Sequence, residues 1–440
     1  EQAGASEKLI EIYRDIALKL TDPDLAREYW MRLAAIHERL GAVDAAAEAY
    51  TKVLDVDPGN SDALQAMDAL YRAHERWEEL IGVYRMRIDL AVDPGQSEAL
   101  YAQMAEVFEE RLDKIEEAIA AYREILALDP TSRLALGALD GLLSRQGKWE
   151  ELAENLETQL GLADTEEAQG KLMLRLASLR ESKMGEVQEA IEGYRQVLER
   201  DPTNAEALSA LERLGQDEAH ELLIAEILEP LYRSTGEYEK LIGVHEVQVR
   251  RADDPSRKVE LLHQVAELYE DAAGDHGAAF DTMARALAVE PSDPTTQDAL
   301  DRLARTSNRM ADLAQTLERL AAEQEEAELG SQLYTSAARV YESDIGDVDR
   351  AVELYRKVLV IDPTNLAAAD ALQALFQATE RFADMSVILQ RKAEILEDLE
   401  EQKSALYQAA TLEEELLGRP ERAIAVYEKV LELDPEDLRS

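Results

Sequence analysis

Residues 61–130 read SDALQAMDALYRAHERWEELIGVYRMRIDLAVDPGQSEALYAQMAEVFEERLDKIEEAIAAYREILALDP. Four apolar stripes run through this stretch at the spacing of one helical face. The first is Leu64, Met67, Leu70 and Tyr71, and the second is Trp77, Leu80, Ile81, Tyr84 and Ile88. The third is Leu100, Tyr101, Met104, Ala105 and Phe108, and the fourth is Ala118, Ile119, Tyr122, Ile125 and Leu126. Short polar stretches separate them, so helices adjacent in sequence are expected to be antiparallel neighbours in space. The segment reads as two helical hairpins.

Its closing Asp129-Pro130 recurs as Asp57-Pro58, Asp201-Pro202, Glu290-Pro291, Asp362-Pro363 and Asp434-Pro435, with proline spacings of 72, 72, 89, 72 and 72. A fixed period of this length points to a stacked array in which each unit packs on its neighbours, rather than to one globular core. Proline cannot continue a helix and is accepted in the first turn of the next, and the acid before it is expected to cap that turn. The one long block carries 17 extra residues, placed at 215–231 (GQDEAHELLIAEILEPL). Leu222, Leu223, Ile227 and Leu228 make a further amphipathic turn or two, which Pro230 is expected to kink or end. The expected organisation is an N-terminal half over 1–214, an inserted helix over 215–231 and a C-terminal half over 232–440. The insert reads either as the place where the two halves change angle or as an ornament on one edge. The chain opens without Met on a stripe (Leu9, Ile12, Ile16) that lacks a hairpin partner, and it closes on the start of another first helix. With no polar capping helix following, this reads as a segment of a longer protein.

Composition agrees with helices: Ala, Leu, Glu and Arg dominate, and Pro and Gly number only 12 and 20 in 440 residues. There is no cysteine, which excludes disulfides, thiol catalysis and thiolate metal sites. No signal peptide and no apolar run of bilayer length is present, so a cytoplasmic setting is expected, with a periplasmic one left open. The net charge of −46 repels nucleic acid and anionic lipid and favours basic partners. It also keeps a long array soluble.

The second hairpin of each block resembles the tetratricopeptide repeat (TPR). A large residue stands at Trp30, Tyr101, Met173, Leu262, Tyr334 and Leu406. Three residues on comes a pair whose second member is small: Leu33-Ala34, Met104-Ala105, Leu176-Ala177, Val265-Ala266, Ala337-Ala338 and Ala409-Ala410. An aromatic site follows at His37, Phe108, Arg180, Tyr269, Tyr341 and Glu413. In the second helix, alanine stands at Ala46, Ala118, Ala190, Ala279, Ala351 and Ala423, and then Tyr50, Tyr122, Tyr194, Met283, Tyr355 and Tyr427. The alanines are expected where two helices cross closely. The first hairpin of each block resembles the repeat less closely. The abundance of Ala, and of Arg over Lys, resembles long bacterial tandem arrays of this family.

This resemblance implies an all-α, right-handed superhelical α-solenoid of TPR-like hairpins in 72-residue double-hairpin blocks. It also implies a concave groove lined by the first helices. The residue after the aromatic site, which the resemblance points into the groove, is Glu38, Glu109, Glu181, Glu270, Glu342 and Glu414. The equivalent residue of the intervening hairpins is Arg72, Ser144, Arg233, Arg305 and Gln377. Two readings compete: an acidic, partly Arg-striped groove for a basic peptide, or a ladder of Glu–Arg pairs between adjacent hairpins. A second groove column varies: Met31, Ala102, Leu174, His263, Thr335 and Tyr407.

Signals for catalysis are poor, and no catalytic, cofactor or metal residue is expected. The six histidines form no i, i+4 pair, and His37 and His245 occupy sites that are aromatic or aliphatic in other copies. Gly141 to Lys148 has the wrong glycine spacing for a phosphate loop, Trp149 in place of Ser or Thr, and no strand before it. Trp77 and Trp149 share a column with Tyr238, Met310 and Phe382, and so read as core. The expected function is a scaffold that binds protein or peptide partners in the groove. The alternatives are the regulatory or substrate-recruiting arm of a larger enzyme, or an array that self-assembles through its open ends.

Overall fold

The protein is described by a computed structural model of residues 2–439, with side chains from residue 7 onward. It divides between Leu211 and Glu212 into two compact units. The first contains α1 (Gln2–Lys19), α2 (Pro23–Arg39), α3 (Val43–Val56), α4 (Ser61–Ala73), α5 (Trp77–Leu90) and α6 (Pro94–Glu110). It continues with α7 (Ile115–Leu128), α8 (Arg133–Gln146), α9 (Trp149–Gly161), α10 (Glu166–Leu179), α11 (Val187–Arg200) and the start of α12 (Ala205–Leu214). The second contains α13 (Glu221–Thr235), α14 (Tyr238–Arg251), α15 (Pro255–Glu267), α16 (His276–Val289), α17 (Pro294–Thr306) and α18 (Met310–Glu323). It ends with α19 (Ala327–Val340), α20 (Val348–Ile361), α21 (Leu366–Ala378), α22 (Phe382–Ile395), α23 (Leu399–Thr411) and α24 (Pro420–Leu433). Within α1–α11 and within α13–α24 each helix packs chiefly on its neighbours in sequence, and no strand occurs among the described residues. The fold is an α-solenoid of helical hairpins.

One apolar seam joins Leu33 to Leu179 in the first unit, and another joins Ala266 to Val430 in the second. Ala46, Ala118, Ala279 and Ala351 lie inside them, and the whole alanine column is buried: Ala46, Ala118, Ala190, Ala279 and Ala351 are 0 % exposed and Ala423 2 %. At the α10–α11 crossing even a methyl group is excess, since a Cβ on Gly193 would come within 2.9 Å of the Ala177 Cβ. A larger side chain at such a joint overpacks it, at a cost of about 1–3 kcal/mol.

The Asp-Pro marker works differently from the sequence expectation. Proline is not in the first helical turn, and the acid before it does not cap the helix. Asp57, Pro58, Gly59 and Asn60 form a separate turn, closed by the Asn60 N–H on the Asp57 carbonyl at 3.1 Å. Asp129, Asp201 and Asp362 accept from the backbone N–H and hydroxyl of the threonine two residues on, at 2.7–3.1 Å. These bonds hold the three carboxyls below the usual carboxylate range, the threonine hydroxyl contributing most. The helix is capped by the next polar residue: Asn60, Asn204 and Asn365 accept from the N–H of Ala63, Ala207 and Ala368 at 3.0–3.1 Å. Proline's fixed φ suits the second position of a tight turn, and a short Asp side chain satisfies that turn's free donors.

The long block holds five helices (α12 to α16) where a regular block holds four. α12 starts after a proline turn like any first helix but stops at Leu214, and α13 then occupies the register that leads into a second helix. Pro230 does not end it, because α13 runs on to Thr235. Glu212 accepts from the Tyr232 hydroxyl at 2.8 Å and Lys240 at 2.9 Å, and the buried Glu221 takes Arg250 and Arg251 from α14.

The two hairpin types close differently. In the first hairpin of a block, the N–H before the second helix reaches five residues back: Arg76 to Tyr71, Lys148 to Leu143, Glu237 to Tyr232, Arg309 to Ala304 and Arg381 to Phe376. In the second it reaches six back: Lys114 to Phe108, Glu186 to Arg180, Asp275 to Tyr269, Asp347 to Tyr341 and Arg419 to Glu413. The added residue widens the end of the first helix into a π-turn at Arg180–Met184, Leu268–Ala272, Tyr341–Ile345 and Leu412–Leu416. α2 and α3, whose connection is one residue shorter, close from Ala42 to His37 without one.

Candidate functional site

The first helices of successive hairpins meet side by side, and polar side chains bridge them. Arg175 on α10 forks the Asp140 carboxylate on α8, both contacts at 2.5 Å. Arg145 on α8 reaches Glu109 on α6. In the second unit His263 on α15 meets Thr296 on α17 at 2.6 Å, Arg302 forks Glu270 just beyond α15, and Arg305 on α17 reaches Asp344 beyond α19. This row of first-helix side chains is the candidate interaction face.

The glutamate column is held largely within its own hairpins. Glu38, Glu181, Glu342 and Glu414 accept from the hydroxyl of the tyrosine on their own second helix: Tyr50 at 3.0 Å, Tyr194 at 2.8 Å, Tyr355 at 3.0 Å and Tyr427 at 3.3 Å. Burial and the adjoining carboxylate push the Tyr50 and Tyr355 hydroxyls well above the ordinary tyrosine range. Glu270 faces Met283, which has no hydroxyl, and turns to Arg302 instead. Glu109 takes Arg145. Each of the six carboxylates therefore has a partner within the chain, and four of those partners lie inside the same hairpin.

The arginine column is held locally. Arg72 donates to Asp68 at 2.5 Å and to the Tyr84 hydroxyl, Arg233 to Glu229 at 2.8 Å, and Arg305 to Asp301 at 3.0 Å as well as to Asp344. Ser144 and Gln377 are exposed. In the variable column Met31, Ala102 and Tyr407 pack partly on the seams, Leu174 is half-buried, and Thr335 bonds back to the Ser331 carbonyl at 2.8 Å. Tyr407 also donates to Asp437. His263 is half-buried against Thr296, with Asp293 at 3.9 Å.

The regular basic–acidic ladder runs elsewhere, at positions the sequence reading passed over. The residue capping the start of a second helix is basic at Arg76, Lys114, Lys148, Arg309 and Arg381. Each reaches an acid on the preceding second helix (Asp44, Glu78, Glu116, Asp281 and Asp349) at 2.5–3.0 Å. Such exposed pairs contribute about 0–1 kcal/mol each. Their regular spacing was the signal available in the sequence.

His37 and His245 are packed, at 6 % and 1 % exposure. Burial, with Arg14 adding to it, lowers the His37 pKa, and His245 Nδ1 lies 3.0 Å from Gln248 Oε1. Trp77 and Trp149 are half-buried rather than core. They open their helices at the edge of the seam, where Arg111 lies 5.3 Å above the first ring and Lys183 5.5 Å above the second.

Two clefts open on the first-helix face of the second unit. One, of about 340 Å³, lies between α17 and α19 over Leu287, Leu300, Leu313 and Leu317, with Arg305 on its rim. The other, of about 470 Å³, lies along α23 and includes Tyr407 and Lys403. Among the described residues, no group of three His, Cys, Asp or Glu side chains is placed to hold a metal ion, and no helix is long and apolar enough to cross a membrane.

Family models described as tetratricopeptide repeat match residues 11–63, 63–98, 99–132, 135–169, 171–204, 226–259, 333–367 and 404–437, more than half of the chain. No curated protein sequence matches. Among solved structures, the chain is similar to Naa15/Naa10 bound to HypK-THB at 17 % identity, covering 98 % of this chain and 61 % of that one, TM-score 0.30. It thus spans about three fifths of that chain's length. A tetratricopeptide repeat protein from Parabacteroides merdae matches at 13 % identity over 63 % of this chain and 98 % of its own, TM-score 0.25. YrrB, described as a TPR protein with an unusual peptide-binding site, matches at 14 % identity over 41 % and 90 %, TM-score 0.24.

Proposed function

The chain belongs to the tetratricopeptide-repeat family, and from that premise we propose that it is a non-catalytic scaffold whose first-helix face holds an extended or helical segment of a partner protein. The observation that carries this reading is the row of polar side chains meeting between successive first helices, while the apolar positions are committed to the seams. Such a face offers repeated polar contacts and shallow clefts along a line, the arrangement that suits a chain segment rather than a small substrate. The net charge of −46 makes the preferred partner basic. The glutamate column contributes to that field even though its carboxylates are held by tyrosine and arginine, because a hydrogen-bonded carboxylate keeps its charge.

The test is binding of a polyarginine peptide to the full chain at several salt concentrations. The affinity is expected to fall steeply as salt rises from about 0.05 to 0.5 M, because screening shortens the reach of surface charge. It is also expected to weaken in the double variant Glu109→Lys, Glu181→Lys. Affinity indifferent to both salt and charge reversal would sink the acidic-face reading. Self-association is a second reading, favoured by exposed apolar residues on α1 (Ile12 at 52 %, Leu18 at 67 %) and α24 (Ile424 at 58 %). Sedimentation of the full chain over a range of concentrations separates it from the first: a mass that stays at one copy rules it out.

A further inference from the structure

Equivalent first-helix seams of the two units differ in their bridging and rim side chains. Counted from the equivalent prolines Pro130 and Pro291, Arg175 corresponds to Ser336 and Asp140 to Asp301. The floor is conserved between them as Leu126, Leu139, Leu152 and Leu156 in the first unit and Leu287, Leu300, Leu313 and Leu317 in the second. In the first unit the Arg175 guanidinium crosses the α8–α10 seam and forks Asp140. In the second, Ser336 is too short to cross, and the α17–α19 seam is left as a cleft of about 340 Å³. Its rim carries Asp298, Asp301 and Asp344. Asp298, which stands where the first unit has Gly137, is exposed and has no ion-pair partner among the described residues. Arg305 and Arg339 also line the cleft, but Arg305 is held by Asp301 and Asp344, and Arg339 lies beside the Tyr355 hydroxyl.

We propose that the α17–α19 cleft is a docking point for an arginine side chain of the partner, placed as Arg175 is placed in the first unit. This rests on the scaffold reading above and specifies where its partner is gripped. The aliphatic stem of the incoming residue lies along the leucine floor, and its guanidinium forks Asp301 with Asp298 beside it. Arg305 keeps Asp344 when Asp301 turns to the incoming group. Arginine is favoured over lysine because the planar fork matches a carboxylate with two hydrogen bonds, whereas an ammonium group acts as a point charge.

The test uses the full chain and a random displayed-peptide library. Peptides recovered on the native protein are expected to be rich in arginine. Their affinity is expected to fall about tenfold or more in Ser336→Arg, which fills the cleft with the chain's own guanidinium, and similarly in the double variant Asp298→Asn, Asp301→Asn. Gln103→Arg, on a different seam, is expected to leave binding unchanged. Ser336→Arg is expected to fold, because Arg175 already occupies the equivalent place, and its unfolding midpoint checks this. Recovered peptides that bind Ser336→Arg as tightly as the native chain, or that tolerate replacement of each arginine by lysine, overturn the docking point while the scaffold reading stands. Recovery of no peptide at all overturns both.

Discussion

The second helix of every second hairpin carries alanine four residues beyond its capping position: Ala46, Ala118, Ala190, Ala279, Ala351 and Ala423. The first hairpins carry Leu80, Leu152, Leu241, Leu313 and Met385 at the same place. The turns differ in step with the joints. Where the joint residue is large, the hairpin closes with a five-residue reach and no π-turn. Where it is alanine, all but the α2–α3 hairpin close with a six-residue reach, and the paired helices pack more extensively along their lengths. A small joint lets two helices approach, and in five of the six such hairpins a wider turn brings the chain round. The TPR-like character of one hairpin and the looser resemblance of the other are thus two solutions of one geometric problem, alternating along the stack.

The largest way to break this comparison is to empty the large joint. Leu313→Ala, at a residue 3 % exposed, is expected to cost about 2–5 kcal/mol through lost burial and an unfilled cavity. Next comes the opposite change at the small joint, where Ala351→Leu should cost about 1–3 kcal/mol through overpacking. Both are read as shifts of the urea midpoint by circular dichroism. If Ala351→Leu is neutral, the alanine joint is not a close crossing. Gly346 ends the α19 π-turn at φ 79°, so Gly346→Ala is expected to lose about 1 kcal/mol. Gly161, with open space around it, should accept alanine without loss in the same assay.

A smaller effect sharpens the role of the glutamate column. Tyr355→Phe removes the hydroxyl that Glu342 accepts and is expected to cost about 1 kcal/mol. Burial, together with the Glu342 bond, also sets a pH dependence. The Tyr355 value is higher in the folded chain than in the unfolded one, where it is about 10. Its contribution is therefore complete below about pH 10 and is lost as pH rises beyond it. In an ultraviolet titration, Glu342→Gln should let Tyr355 ionise at lower pH. An unchanged titration would show that burial alone raises it.

Much of the fold was legible in residues 61–130. The stripes there gave the helices, and the repeated alanines located the closest crossings, because a position that is alanine in six copies leaves no room for variation. The long block's extra length was visible, but not that α12 stops and α13 restarts, since Pro230 inside α13 looks like a breaker when read alone. The candidate face was legible as columns and opaque as contacts. Nothing in the pattern distinguishes a glutamate facing a groove from one hydrogen-bonded to a tyrosine on its own hairpin. That depends on the distance between two side chains in the folded hairpin, which the pattern of residue types does not carry. The seam-bridging Arg175–Asp140 fork was invisible for a related reason: the two residues are 35 positions apart.

Periodicity in the chain was enough, by itself, to determine that this protein is a stack of helical hairpins. A helix must bury its apolar stripe, and equal stripes at equal intervals can bury one another only in line. Tertiary structure alone decided which charges remain available to a partner. Ion pairs and hydrogen bonds are settled by distances of a few ångströms between residues far apart in sequence.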